Sequence, residues 1–184
     1  MRKLWQWAAR AALIGVGATA VMDLGAEVIR RTTGVPLLDY RLVARWIGHM
    51  PQGQFRHHNI AAVPPVPAER LLGRVAHYSI GIGFAGLLLA CYPRWAERPT
   101  LGPAMFIGLG SVAAPFFLMQ PAFGLGIAAS KTPNPTVARF RSLRAHAIYG
   151  FGLYFTGYLL SALSRWRVDA HQQRQSLQAR SEGR

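Results

Sequence analysis

Acidic residues are scarce in this chain. Seven Asp and Glu stand against 21 Lys and Arg, for a net charge of +14. Lysine is nearly absent as well: Lys3 and Lys131 stand alone, so the cationic character is almost all arginine. In a soluble protein this excess would point to nucleic acid, but the aromatic and fold motifs that such binding needs are missing. No nucleic-acid partner is expected. Cys91 is the single cysteine, which excludes an intrachain disulfide and a four-thiolate zinc site. There is no HExxH or CxxC, Ser79, Ser111 and Ser130 lack GxSxG surroundings, and the Gly15/Gly17 and Gly108/Gly110 pairs lack the lysine of a phosphate loop. Metalloprotease, dithiol, esterase and NTPase readings therefore have no support.

Charge is also missing over long stretches. Residues 75–93, 99–130 and 145–164 contain no Asp, Glu, Lys or Arg. A membrane span needs about 20 predominantly apolar residues, and each run supplies one. The mean hydropathy of +0.16 hides this, because the apolar runs alternate with Arg-rich connections. Arginine at such borders meets lipid phosphate and sets orientation. The resulting expectation is an all-α, polytopic membrane protein with four transmembrane helices in a bundle. The spans fall at about 5–29, 73–93, 101–122 and 145–164 within one domain, 1–164.

The first span has a rival reading. Met1-Arg2-Lys3, the apolar 11–22 and Ala18-Thr19-Ala20 resemble a signal peptide with its cleavage site. However, that site lies inside the apolar run, and Leu24, Ala26, Val28 and Ile29 continue it toward Arg30 and Arg31. An uncleaved span is expected, with Trp5 and Trp7 in the aromatic belt. In the loop 30–72, Leu38, Leu42, Val43, Trp46, Ile47 and Met50 recur at helical spacing, the pattern of a short interfacial helix. The Pro-rich stretch 51–67 reads as coil; His57 and His58, with His49, could bind a metal there, but adjacent histidines in a Pro-rich loop are expected to be solvated. Residues 123–135 read as interfacial or re-entrant, and Lys131-Thr132-Pro133-Asn134-Pro135 as a stiff turn. The tail 165–184, with Arg165, Arg167, Arg174, Arg180 and Arg184, is expected to continue the fourth helix briefly and then disorder. Lys and Arg are balanced between the two sides, so only Arg2 and Lys3 place both termini in the cytoplasm.

The halves resemble one another. Ile14-Gly15-Val16-Gly17 matches Ile107-Gly108-Leu109-Gly110, and His77, Gly81, Gly83 matches His146, Gly150, Gly152, with Arg74 and Arg144 before each His. This suggests a repeat of two helical hairpins in the same orientation. Small residues at these positions let helices, or a flat cofactor, approach closely.

Four spans bring polar residues to one side of the bilayer. Asp23 and Glu27, four apart on one helical face, would meet His77, Gln120 and His146 there, bordered by Arg74 and Arg144. Ionisable groups within a membrane are costly and mostly face the bundle interior. His77 and His146 are candidate ligands of a haem iron, or of a metal with Asp23 and Glu27. Without a cofactor, the histidines bond carbonyls or carboxylates at helix entrances, and Asp23 and Glu27 pair with Arg30, Arg31 or a neighbouring helix, Glu27 and Arg31 being at the favourable i, i+4 spacing. Lys131, Arg139, Arg141 and Arg144 are candidate contacts for lipid phosphate.

Several longer stretches carry a family resemblance: Val21-Met22-Asp23-Leu24, Arg45-Trp46-Ile47-Gly48-His49, Ala76-His77-Tyr78 with Gly81, the run from Pro115 to Gly124, Lys131 to Pro135, and Arg144-Ala145-His146-Ala147. Together they resemble a family of small bacterial inner-membrane proteins catalogued as a domain of unknown function. The resemblance extends to about residue 164. It implies four spans in the bacterial cytoplasmic membrane and carries over no catalytic residue.

The leading functional expectation is a non-enzymatic membrane protein that binds or moves a small ligand, proton or ion at the polar cluster. Alternatives are a membrane redox or metal-dependent enzyme using His77 and His146, and an assembly subunit. Expected partners are the lipid bilayer and a second copy or a membrane-complex subunit.

Overall fold

The structure, a computed structural model, describes residues 2–182; Arg184 of the basic tail lies outside the described residues. Regular structure is helical, with no strand among the described residues. Helix α1 spans Arg2–Thr33. Its end is marked by Gly34 at φ +72°, whose N–H bonds Arg30 O at 2.9 Å. A left-handed residue after the last turn favours glycine. Arg30 and Arg31 in that last turn suit the negative end of the helix.

A short helix α2, Arg41–His49, follows. Asp39 accepts the Arg41 N–H and binds its guanidinium at 2.7 Å, which holds the Asp39 carboxyl below its usual range. The chain reaches α3, Glu69–Cys91, through two single 3-10 turns. Helix α4, Leu101–Gly110, runs into a π-helical segment at Ala114–Met119 and a last turn, α5, at Gln120–Ala122. Pro115 has no N–H to give the α-helical ladder, and a π segment is one way a helix absorbs such a break. Helix α6 starts at Pro135, where a proline's missing N–H is no loss, and extends to Glu182.

Among the described residues, three helical stretches are long and apolar enough to cross a membrane: Leu4–Thr33, Glu69–Cys91 and Leu101–Ala122. They match the first three expected spans. Only 28%, 28% and 22% of the residues in their most apolar windows are buried, so most of this apolar surface points outward. Leu24, Phe106 and Phe117, each about two-thirds exposed, illustrate it. So much exposed apolar surface marks a membrane or partner contact.

The fourth apolar run, 145–164, lies inside the long α6. The tail differs from expectation: the helix does not end shortly after Arg165 but carries on to Glu182. Residues 165–182 contain no Gly or Pro and are rich in Gln, Arg and Ala, all good helix formers.

The long helices are assembled with α1 between α3 and α6, α4 against α6, and a lighter contact of α4 with α3. Ile14, Ala18, Leu88, Ala104 and Leu153 sit at the centre. Glycine sets how close these helices come. A Cβ on Gly15 would lie 2.5 Å from Ile82 Cα on α3, and one on Gly108 would strike the backbone of Gly150 on α6. A Cβ on Gly152 would lie 2.8 Å from Ala18 O on α1.

The 30–72 loop is docked rather than free. Val43 and Ile60 form a second small core with Ala122 and Phe123. The Arg45 guanidinium pairs with Glu69 at 2.8 Å, both side chains nearly buried, and also reaches the Ala61 and Val63 carbonyls. The backbone N–H groups of His57 and Ile60 donate to Ala122 O and Phe123 O. This corrects the expectation of solvated histidines: His49 is 8% exposed and His57 half-buried, and only His58 faces solvent. The loop takes this path because the carbonyls of the irregular 122–123 turn need donors.

Gly108→Ala is expected to destabilise the protein by about 1–3 kcal/mol, because backbone rather than a flexible side chain must move. Gly102→Ala, with open space around it, is expected to be neutral or slightly stabilising. Thermal unfolding of both variants in mild detergent checks the contrast.

Candidate functional site

The Asp23 carboxylate, two turns before the Arg30-Arg31 end of α1, is the point of convergence. Tyr40 OH donates to Oδ1 at 3.0 Å and Tyr78 OH to Oδ2 at 3.1 Å. His77 Nε2 lies 3.0 Å from Oδ1. The Tyr40 ring is stacked on the His77 imidazole, centroids 3.9 Å apart, which fixes the ring plane. Tyr40 itself is placed by close backbone contact: its carbonyl lies where a Cβ on Gly73 of α3 would be. Burial and the adjacent carboxylate hold the Tyr40 phenol far above its usual range, so it stays a donor. One carboxylate thus ties together α1, α3 and the segment leading into α2.

Beside this centre is a cavity of about 550 Å³. One part of its wall is cationic: Arg74 from α3, and Arg141 and Arg144 from α6. The rest is mainly apolar, with Met22, Ile29, Val35, Leu37 and Ile148 among its lining residues, and Asp23 and Tyr78 also reach it. Arg141 and Arg144 are three apart and share one face of α6. Among the described residues no carboxylate pairs with any of the three arginines. Arg144 lies over the Phe140 ring, 5.8 Å from its centroid.

The expected cluster is gathered in part. Asp23 and His77 meet directly, and Arg74 and Arg144 line the adjoining cavity. Glu27 does not join them. It binds Arg30 at 2.6 Å and Arg31 at 2.7 Å on the outer surface, the local pairing its spacing suggested. His146 is bound through Nδ1 to Ser111 Oγ at 2.7 Å, while that hydroxyl also donates to Gly108 O at 2.6 Å. Gln120 ends the π segment with Oε1 buried and unpartnered. The two histidines therefore have separate partners. No group of three or more His, Cys, Asp and Glu is placed to hold a metal ion among the described residues.

Tyr40, Tyr78 and Ser111 were missed as site residues. A signal for two of them was present: an acidic residue within an apolar helix needs donors, and Tyr78 directly follows His77. Ser111 directly follows the second Ile-Gly-Leu-Gly match. Tyr40 gave no local sign.

Asp23→Ala is expected to lower stability by about 1–3 kcal/mol, since it strands the two phenols and the imidazole. Asp23→Asn, which keeps the shape and one acceptor, is expected to cost less. Equilibrium unfolding in detergent, followed by tyrosine and tryptophan fluorescence, measures the order. Equal stability of Asp23→Ala and the parent would mean that the three donors do not depend on the carboxylate.

No curated protein and no solved structure matches the chain. A family described as "Protein of unknown function (DUF2938)" matches residues 12–160, which include α2, the Asp23 centre and the three cavity arginines. The chain belongs to that family of uncharacterised proteins.

Proposed function

We propose that the protein is a multi-pass protein of the bacterial inner membrane that binds an anionic amphiphile at the cavity beside Asp23. The observation that carries this reading is the lining itself. Three guanidiniums, without carboxylate partners among the described residues, share one cavity with an apolar wall. Three cations lining one cavity raise the local concentration of anions there, and arginine presents a planar fork suited to phosphate or carboxylate oxygens. The apolar wall supplies the place for a hydrocarbon chain. Asp23 does not spoil the site, because its oxygens are already engaged by Tyr40, Tyr78 and His77. It acts as an anchor for the wall and leaves the ligand to the arginines.

In this reading residues 145–164 of α6 form a fourth span. Their packing against α1 and α4 supports it, since a helix seated between two apolar neighbours has to share their medium. The hairpin repeat is supported by the matched glycines: Gly15 meets the Gly81–Ile82 backbone, and its counterpart Gly108 meets Gly150, the counterpart of Gly81. With both termini cytoplasmic, the cavity opens on the outer side of that membrane.

The test is titration of the purified protein in mild detergent with a short-chain phosphatidic acid, and with the matching phosphocholine lipid as the zwitterionic control. Native mass spectrometry reads the bound fraction. The phosphatidic acid is expected to bind in preference, and Arg141→Ala or Arg144→Ala to weaken it roughly tenfold or more, the usual worth of a charge-assisted hydrogen bond. Equal binding of both lipids, or unchanged affinity in both variants, would overturn the proposal.

A further inference from the structure

A second polar site lies away from the cavity, in the docked loop. His49 is the last residue of α2 and is 8% exposed. Its Nδ1 is buried without a hydrogen-bond partner among the described residues. The Nε2 of His57 is in the same condition. The two rings face one another at a tilt of 48°, their centroids 5.4 Å apart. A buried imidazole nitrogen without a partner costs free energy. Two such nitrogens lie on neighbouring rings.

The spacing suits a metal ion. Imidazole nitrogens bind zinc at about 2.0–2.1 Å, and two of them on one tetrahedral ion hold their ring centroids roughly 5 Å apart. The surroundings keep the pair in place. The turn Met50–Gln52 and Gly53, at φ +77°, send the chain back on itself. Gln54 N–H donates to His49 O, Trp46 Nε1 to Phe55 O at 2.9 Å, and His57 N–H to Ala122 O at 2.8 Å. Gly124 leaves the room that the His57 and His58 carbonyls occupy. The C-terminal end of α2 also points its negative pole at His49, which favours a cation there.

We infer that His49 and His57 form a two-imidazole site for a late first-row divalent cation such as Zn²⁺, with water completing its coordination. The site is independent of the Asp23 cavity and of His77 and His146. It would fasten the loop to the end of α2, and so to the irregular segment at 122–123 that the loop covers.

Zn²⁺ alone is the probe, titrated calorimetrically into the full chain, prepared without a polyhistidine tag in mild detergent. One Zn²⁺ per chain is expected. Co²⁺ in its place is expected to give the visible absorption of a four-coordinate ion, and Zn²⁺ to bleach it. His57→Ala, at the half-buried edge where folding tolerates the change, is expected to weaken binding at least tenfold. His58→Ala, one residue away but exposed, and His77→Ala are expected to leave it unchanged. Circular dichroism of each variant establishes that it is folded. A folded parent protein that takes up no Zn²⁺ would overturn the inference and make a bridging water the partner of both nitrogens. Full Zn²⁺ binding retained in folded His57→Ala would overturn it too, by placing the ion elsewhere.

Discussion

A carboxylate on a largely apolar helix is the constraint around which this protein is arranged. Asp23 cannot stand among apolar residues unless donors reach it, and the fold supplies three, from two other parts of the chain. Meeting that demand brings the segment before α2 against α1, seats Tyr40 over His77, and sets the entrance of α3 beside the end of α1. The cavity and its arginines follow from this placement. Arg74 is one turn before Tyr78 on α3, so the contact that satisfies Asp23 also delivers a guanidinium to the cavity wall.

The second condition is close helix approach. In lipid there is little hydrophobic gain from bringing helices together, so packing contact and small residues decide which ones associate. Glycines 15, 81, 108, 150 and 152 each sit where even a methyl group would meet a neighbouring chain segment. This lets α6 lie against both α1 and α4, which carries Arg141 and Arg144 toward an arginine of α3. A site drawn from three long helices thus depends on groups that carry no chemistry themselves. The docked loop follows the same logic at its own scale. Its backbone satisfies carbonyls left open where the helix after α4 breaks up, and in doing so it sets two histidines beside one another.

Part of the site could be read from residue order. The pairing of Glu27 with Arg31 follows from a spacing of four, and the meeting of Asp23 with His77 follows from two spans whose ends share a side. His146 shows where that reasoning stops. Similar depth in the membrane put it with His77, but depth says nothing of the direction a side chain takes around its helix. Its ring is held by Ser111 instead. Tyr40 lies in an irregular segment with no periodicity, so nothing local told which way its hydroxyl turns. His49 and His57 looked like loop residues in solvent because prolines and polar residues surround them. The loop that carries His57 is packed down where Ile60 meets Ala122 and Phe123, residues far apart in sequence.

The amino-acid sequence by itself determined the helical class, the apolar stretches at the first three spans, the resemblance to an uncharacterised membrane family, and the polar residues that would need partners. These are local matters: charge-free length, helical periodicity and the expense of a polar group among apolar ones are all properties of a short window. Only the tertiary structure decided which partners those polar residues found, that Arg74, Arg141 and Arg144 share one cavity, that the central loop is packed down, and that α6 continues beside its neighbours for so long. Those outcomes depend on the rotation of each helix about its axis and on contacts between residues far apart in the chain, and a helical pattern in sequence leaves both free until the helices pack.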